Sequence, residues 1–144
     1  MTNTIYFDMD GTIANLYGVE NWLNDLINSN TRPYREARPL LNFSQFAKIL
    51  HKLQANGYRI GIISWLAKNG STAYNAQVTA TKMAWLEKRL PSVEWDEIHI
   101  INYGTPKSTC GNGILFDDEE RNRNEWNGIA YDVNNIIETL KALL

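Results

Sequence analysis

Short apolar runs alternate with amphipathic stretches along the chain. The runs at residues 5–7, 58–63, 98–101, 114–116 and 129–131 are rich in β-branched or aromatic residues and predict five strands. Apolar residues recur at helical spacing over residues 19–27, 43–53, 73–90 and 133–144, which predicts four helices. Residues 31–39 hold two prolines and three arginines and are predicted to form an ordered loop.

Local signals mark some of the helix boundaries. Asn42 with Gln45 resembles a capping box in front of the second helix, and Asn56-Gly57 is a stop signal behind it. Asp132 is the expected N-cap of the last helix.

The alternation of strands and helices predicts βαβ units, and therefore an α/β fold with a five-stranded, mostly parallel sheet. No repeat, low-complexity tract or linker interrupts it, so residues 1–144 are expected to form a single domain. In such sheets ligands bind beyond the carboxyl ends of the strands. The polar residues at or behind these predicted ends are Asp8, Ser64, Asn102, Lys107, Asp117 and Asp118.

Composition and net charge limit the kinds of protein that this chain can be. The 144 residues are 44% hydrophobic, which is enough for a real core. The formal charge of −2 argues against a protein that binds nucleic acid mainly through charge. One cysteine, Cys110, cannot form an internal disulfide. Neither a signal peptide nor a stretch that would span a bilayer is evident, so we expect a cytoplasmic protein that does not engage membranes.

The segment Asp8-Met9-Asp10-Gly11-Thr12 is the strongest chemical signal. Two carboxylates two residues apart at a strand end point the same way, and Gly11 permits a sharp turn. One carboxylate can attack phosphorus while the other handles protons at the leaving oxygen. A calcium loop requires Asp or Asn at the fifth position and Glu at the twelfth. Thr12 and Val19 occupy these positions, which excludes that interpretation.

Two weaker signals follow along the chain. The hydroxyl of Ser64, with the backbone N–H groups of Trp65 and Leu66, is a candidate holder of phosphate oxygens, although Ser64 alone is equally typical of a strand end. Lys107 is a candidate to offset the charge of an aspartate and a phosphate held close together, or else a solvated loop lysine. The spacing around Lys107 is not that of a Walker P-loop.

Asp117 and Asp118 close a strongly apolar strand. Adjacent acids at a buried strand end repel each other unless a cation lies near them. Together with Asp8 they predict a hard oxygen site suited to magnesium. The alternative is an acid-rich helix start, because Glu119 and Glu120 follow directly.

These residues resemble, in kind and order, the four motifs of the haloacid dehalogenase-like (HAD) hydrolases. The resemblance implies a three-layer Rossmann-like core, with Asp8 as the nucleophile that forms an aspartyl-phosphate and Asp10 as the acid and base. It implies that Ser64 and Lys107 orient the phosphoryl group. The implied substrate-binding residues are Gly11, Thr12, Trp65 and Leu66. The implied magnesium ligands are Asp8, the backbone carbonyl of Asp10, and one of Asp117 and Asp118.

Within that superfamily the C-terminal half looks most like the 5′(3′)-deoxyribonucleotidases. Lys82-Met83-Ala84-Trp85-Leu86, Pro106-Lys107-Ser108, the strand closing on Asp117-Asp118, and Asn122-Arg123 carry this looser likeness. Those nucleotidases have a cap of several helices between the first two motifs. Here residues 17–40 leave room only for a minimal cap, so the site is expected to be open, or to be completed by a neighbouring subunit.

Aromatic and basic residues near the insert suggest how a substrate is held. The candidates to stack on a base are Tyr17, Trp22, Tyr34 and Trp65, although the helical spacing of Trp22 favours a core position for that residue. Arg32, Arg35 and Arg38 are either phosphate contacts or a solvated loop face. His51, His99 and Cys110 are expected to lie outside the chemistry.

The sequence therefore predicts a magnesium-dependent phosphomonoesterase whose small phosphorylated substrate is a (deoxy)nucleoside monophosphate. A phosphatase for a larger substrate, such as the 3′-phosphate end of a nucleic acid, is the first alternative. A non-catalytic phosphate- or metal-binding domain is the second. A two-component receiver domain has its acid pair after the first strand, and the order of acids here argues against it.

Overall fold

Five short strands form one parallel sheet in the computed structural model, which describes residues 3–144. The strands in this part of the chain are β1 Thr4–Phe7, β2 Ala14–Asn15, β3 Arg38–Pro39, β4 Arg59–Trp65, β5 Glu97–Ile101, β6 Ile114–Phe116 and β7 Ile129–Tyr131. The helices are α1 Trp22–Ile27, α2 Arg32–Glu36, α3 Phe43–Ala55, α4 Thr72–Arg89, α5 Glu120–Glu125 and α6 Ile136–Ala142, with 3₁₀ turns at Leu16–Gly18 and Lys107–Thr109. None of these helices combines the length and apolar character needed to cross a membrane.

The sheet has the strand order β5-β4-β1-β6-β7, and every neighbouring pair is parallel. Helices flank it, which confirms the predicted α/β, Rossmann-like three-layer fold. The chain runs from β1 to one edge through β4 and β5, then crosses to the other edge through β6 and β7. The carboxyl end of β1 is therefore the switch point, where a ligand site is expected.

The larger core lies on the face of the sheet that carries Ile5 and Phe7. Both side chains are fully buried, and Phe7 packs edge-on against Phe46 of α3 with ring centroids 5.1 Å apart. Residues of α4 and α6 join the same cluster. Its buried helical members are Phe46, Ile49, Leu50, Leu53, Trp85, Leu86, Ile136 and Leu140. Since apolar burial is the main stabilising contribution, this face holds the strands in register.

The opposite face is covered more thinly, by α5 and the second 3₁₀ turn. Tyr6 and Leu115 pack there against Trp126, whose ring lies 5.7 Å from that of Tyr6. Gly61 lies between Tyr6 and β5, and a Cβ at Gly61 would lie 2.7 Å from the Tyr6 ring. The missing side chain lets the Tyr6 hydroxyl reach Glu97 and donate a 2.9 Å hydrogen bond.

Most predicted boundaries are confirmed. The Asn42 side chain caps α3 by accepting from the Gln45 N–H at 3.0 Å, and Gly57 ends that helix with a φ of 98°. The long helix and all five sheet strands lie where the apolar pattern predicts them.

Two local predictions are wrong. Residues 31–39 contain α2 and β3, because Pro33 sits in the first turn of α2, where its missing N–H costs no hydrogen bond. Asp132 does not cap the last helix, which begins at Ile136. The Asp132 carboxylate instead accepts from the Asn134 N–H at 3.2 Å in the preceding turn.

Residues 17–40 form the insert, whose two ends leave and rejoin the core side by side. β2 and β3 pair antiparallel at Ala14 with Pro39, just outside the two short helices. The Trp85 indole N–H donates to the Ala37 carbonyl at 2.8 Å, and the Tyr74 hydroxyl donates to the Asn30 carbonyl at 2.9 Å. The insert is thus fixed to α4 by two hydrogen bonds from aromatic side chains.

Candidate active site

Three carboxylates meet at the carboxyl ends of the two central strands. Asp8 directly follows β1, and Asp117 and Asp118 directly follow β6, its parallel neighbour. One oxygen from each of the three lies within 4.8 Å of the other two. Asp117 is fully buried, and Asp8 is only 7% exposed. Such a group of like charges requires compensating positive charge.

Lys107 supplies one positive charge from the second 3₁₀ turn. Its ammonium is buried and donates to Asp8 Oδ1 at 3.0 Å and to Asp117 Oδ2 at 2.6 Å. Burial lowers the pKa of Lys107, but the two carboxylates outweigh it and raise that pKa above its usual value. Lys107 therefore stays charged beside Asp8, as the sequence predicted.

Asp117 and Asp118 have different surroundings. Asp117 Oδ1 accepts from the Glu119 N–H at 2.9 Å, and Asp117 Oδ2 accepts from Asn122 at 3.1 Å as well as from Lys107. Asp118 Oδ1 lies 3.3 Å from the Thr12 hydroxyl. The oxygens of Asp117 are thus held by protein donors, whereas Asp118 has a single side-chain donor.

Both carboxyl groups of the pair hold a proton more tightly than usual. Burial, with the negative charge of Asp8, raises the pKa of Asp118 to about 8 and the pKa of Asp117 to about 7. The ionised form of the cluster is therefore strained by its own charge, and a cation bound there would relieve that strain.

A sharp turn brings Asp10 and Gly11 over the cluster. Gly11 has a φ of 81°, and its N–H donates to the Ala14 carbonyl at 2.8 Å. A Cβ at Gly11 would lie 2.3 Å from Asp118 Oδ2, so only glycine allows Asp118 to approach this closely. Thr12 is buried, with its hydroxyl 3.3 Å from both Asp8 and Asp118. Gly11 and Thr12 thus lie in direct contact with the carboxylate cluster.

Asp10 has a hydrogen-bond partner that was not predicted from the sequence. Lys82 of α4 is 1% exposed, and its ammonium donates to Asp10 Oδ2 at 2.8 Å, to Ser64 Oγ at 2.7 Å and to the Trp65 carbonyl at 2.8 Å. Burial raises the pKa of Asp10, and the Lys82 charge opposes that rise. The sequence does carry a signal for this contact. Lys82 lies four residues after Val78, which places a charged side chain on the buried, apolar face of α4.

Ser64 and Leu66 do not lie as predicted. β4 continues through Trp65, so Ser64 is inside the strand and fully buried. The Leu66 N–H donates to the Ile101 carbonyl at 2.7 Å and is therefore not free to bind a phosphate oxygen. Trp65 and Leu66 do line the cavity beside the carboxylates, through their side chains.

A cavity of about 390 Å³ opens above Asp8 and Asp10. On the core side its walls are Trp65, Leu66, Ala67, Lys68, Asn69, Tyr103, Lys107, Glu119 and Asn122. On the insert side they are Leu16, Tyr17, Trp22, Leu23, Leu26, Ile27 and Tyr34. All four aromatic residues predicted to stack on a base line the cavity.

Trp65 is the aromatic residue on the core side of the cavity that lies nearest to Lys107. Its indole N–H donates to the Thr105 carbonyl at 2.8 Å, which fixes the ring. Lys107 lies over the ring at 5.7 Å, Arg121 lies over it at 5.4 Å, and the Tyr103 ring is 4.8 Å away. Cationic groups beside an aromatic ring on a cavity wall suit an anionic, partly planar ligand.

The other candidate residues lie away from the cavity. Arg32 binds Asp25 and Glu36 within the insert. Arg35 and Arg38 are exposed. His51 contacts the Ser92 carbonyl at 2.9 Å and His99 contacts Glu97 at 2.8 Å, so both serve local structure.

Models of known protein families give no match to this chain, and no curated protein sequence matches it either. The site is therefore described by its own geometry. It contains a buried carboxylate (Asp8), the carboxylate of Asp10, the hydrogen-bonded ammonium groups of Lys107 and Lys82, and the acid pair Asp117 and Asp118.

Proposed function

We propose that this chain is a magnesium-dependent phosphomonoesterase that acts through an aspartyl-phosphate on Asp8, with a nucleoside monophosphate as substrate. One observation carries the proposal. The Asp8 carboxylate is held by Lys107 at the base of an open cavity, with Asp10 beside it and Asp118 within ligand distance of a shared cation.

The donor set fits magnesium. Carboxylate oxygens are the hard ligands that Mg²⁺ prefers, and the raised pKa of Asp118 marks a position that favours a cation. Asp8, Asp118 and the Asp10 backbone carbonyl are the proposed ligands, because the oxygens of Asp117 already accept from Lys107, Asn122 and a backbone N–H. A bound Mg²⁺ supplies positive charge that offsets the phosphate and lets it approach Asp8.

In the first half-reaction an Asp8 oxygen attacks phosphorus, and the bond from phosphorus to the ester oxygen breaks. Asp10 gives its proton to that oxygen, which departs as the alcohol. Lys107 stabilises the transferred phosphoryl group by the charge that it already places beside Asp8. Burial raises the pKa of Asp10, which favours the protonated form that this step uses.

In the second half-reaction water attacks the phosphorus atom of the aspartyl-phosphate. Asp10, now ionised, accepts the proton of that water, and the bond from phosphorus to Asp8 breaks. Inorganic phosphate leaves, and Asp8 and Asp10 return to their starting states. One residue thus serves as acid and then as base.

The insert side of the cavity supports an aromatic leaving group. Trp22, Leu23, Leu26 and Ile27 of α1 line the same cavity as Asp8 and Asp10, and so does Tyr34. A nucleoside places its base there by stacking and apolar contact when the phosphate reaches Asp8. The phosphorylated end of a nucleic acid is the second candidate, because Lys68 lies 5.7 Å above the Tyr103 ring on the cavity rim.

The test is phosphate release from ribo- and deoxyribonucleoside monophosphates, from ribose 5-phosphate, and from 3′- and 5′-phosphorylated oligonucleotides. Each is assayed with magnesium and with a chelator, for the natural chain and for Asp8→Asn. We expect magnesium-dependent release from the mononucleotides and none from Asp8→Asn. Release only from oligonucleotides would select the second candidate. Release that persists in Asp8→Asn would refute the mechanism.

A further inference from the structure

The Lys82 ammonium lies at the centre of three short hydrogen bonds. It donates to Asp10 Oδ2, Ser64 Oγ and the Trp65 carbonyl at 2.7–2.8 Å. A lysine ammonium has three protons and no acceptor, so these partners use its whole donor capacity. Lys82 therefore has no donor left for a phosphate oxygen.

Burial separates this group from the cavity. Ser64 is fully buried and Lys82 is 1% exposed, whereas Asp10 retains 18% of its side-chain exposure and lines the cavity. The Tyr34 ring lies 5.1 Å from the Lys82 ammonium and covers it from the insert side. Of the three side chains, only Asp10 reaches the space where a substrate binds.

The direction of each hydrogen bond is fixed by chemistry. Because Lys82 only donates, Ser64 accepts from it, and so does Asp10 Oδ2. The second carboxylate oxygen of Asp10 remains to exchange a proton with the substrate. Ser64 and the Trp65 carbonyl hold the ammonium on β4, and the ammonium in turn holds Asp10 in one orientation.

We propose, on the basis of the phosphomonoesterase function above, that Ser64 and Lys82 are positioning residues for the acid–base group Asp10, and that Ser64 does not bind the phosphate. The chain Ser64–Lys82–Asp10 aims the free Asp10 oxygen at the leaving oxygen. Ser64 thus contributes to the protonation of the leaving group, through Lys82, although it lies inside a buried strand.

Leaving-group dependence distinguishes this role from phosphate binding. A nucleoside 5′-monophosphate releases a poor leaving group that needs the Asp10 proton, whereas 4-nitrophenyl phosphate releases a phenolate that needs little protonation. We compare kcat/KM, which reports the first half-reaction, because both substrates share the later hydrolysis of the aspartyl-phosphate. We expect Asp10→Asn to lower kcat/KM for the nucleotide by roughly 10²–10⁴-fold and to lower kcat/KM for 4-nitrophenyl phosphate much less. Ser64→Ala and Lys82→Met should show the same selectivity at about 10- to 100-fold on the nucleotide.

Two further readouts separate positioning from a merely structural role. The inhibition constant of inorganic phosphate should stay within about twofold in Ser64→Ala, since no phosphate contact is lost. In the Asp10→Asn background neither Ser64→Ala nor Lys82→Met should slow the nucleotide by more than about twofold, because residues acting through one group are not additive. Ser64→Thr and Lys82→Arg should restore part of the rate.

Lys88→Met is the matched control, because Lys88 is an exposed lysine on the same helix. Circular dichroism and thermal unfolding report whether each variant folds. If Lys82→Met alone does not fold, the Asp10→Asn/Lys82→Met pair, which removes both charges, is compared with Asp10→Asn.

A tenfold weaker inhibition by phosphate in Ser64→Ala, with equal slowing of both substrates, would overturn the proposal and make Ser64 a direct phosphate ligand. Additive losses in the Asp10→Asn background would overturn it as well. Absence of magnesium-dependent turnover of both substrates by the natural chain would instead refute the phosphomonoesterase function and this inference with it.

Discussion

The two walls of the cavity are built in different ways. The core wall holds Asp8, which follows a central strand of the sheet, and Lys107, which lies in the 3₁₀ turn Lys107–Thr109; both are nearly inaccessible. The insert wall presents Leu23 and Ile27, which are 56% and 71% exposed, on a six-residue helix with no buried residue. Under the proposed function the reacting groups lie on the buried wall, and the contacts expected to select a substrate lie on the exposed wall.

The insert wall is held by local polar contacts. Arg32 donates to the Glu20 carbonyl at 2.6 Å and to Asp25 at 2.7 Å, which ties α2 to both ends of α1. A surface network of this kind holds a short helix that could not be stable alone. Changes on the two walls should therefore have separable effects on chemistry and on substrate affinity.

The largest expected effect is on the core wall. Asp8→Asn should lower turnover by about 10⁴-fold or more, since the nucleophile is lost. The fold should persist, because the change removes one of three mutually repelling carboxylates and Lys107 keeps Asp117 as its partner. Phosphate release and thermal unfolding measure both effects. Asp132→Asn, at an exposed acid, is the control, and an unfolded Asp8→Asn chain would contradict the catalytic assignment.

The second expected effect is on the stability of the folded chain, which should depend on pH and on magnesium. Asp118 has a pKa of about 8 in the folded chain, well above the value of about 4 expected when unfolded. Between these values the folded state binds more protons, so the stability of the metal-free chain should fall as pH rises from about 5 to 8. Magnesium should raise the melting temperature more at pH 8.5 than at pH 6.

The control for this prediction is Asp118→Asn. It should reduce the pH dependence of the melting temperature, leaving the part that the raised pKa of Asp117 contributes, and remove most of the magnesium shift, because it deletes one acid of the cluster. A magnesium shift of undiminished size in Asp118→Asn would rule out Asp118 as a ligand.

The smallest expected effect is on the insert wall. The double variant Leu23→Asn/Ile27→Asn should raise KM for a nucleotide by about 3- to 10-fold through lost apolar contact with the base, and leave ribose 5-phosphate hydrolysis unchanged. Steady-state kinetics on both substrates test this. Leu144→Asn, an exposed leucine outside the cavity, is the control. Equal losses on both substrates would show that the two walls are not independent.

The sequence predicted the core wall well. Short apolar runs locate β1 and β6, and parallel pairing brings their carboxyl ends to one edge, so Asp8 and Asp117 had to meet. Lys107 was predicted from its order in the chain, and the structure places it between them.

Other features depend on tertiary contacts that no local pattern encodes. Lys82 meets Asp10 across 72 positions of sequence, and only the packing of α4 on the sheet brings them together. α2 forms where proline and arginine suggested a loop, since Arg32 finds Asp25 and Glu36 as partners. Tertiary stabilisation overrides local propensity in such short segments.

The two-residue β-ladder between β2 and β3 marks a place where the insert can be replaced by another segment. Its pairs, Ala14 with Pro39 and Asn15 with Arg38, hold the two ends of the insert together beside the core. A segment grafted between Asn15 and Arg38 would start and finish at the same anchored positions, and each doubling of a flexible loop costs only about 0.6 kcal/mol of closure entropy. Libraries of grafted segments at this point can therefore vary the size of the accepted ligand while the catalytic strands keep their register.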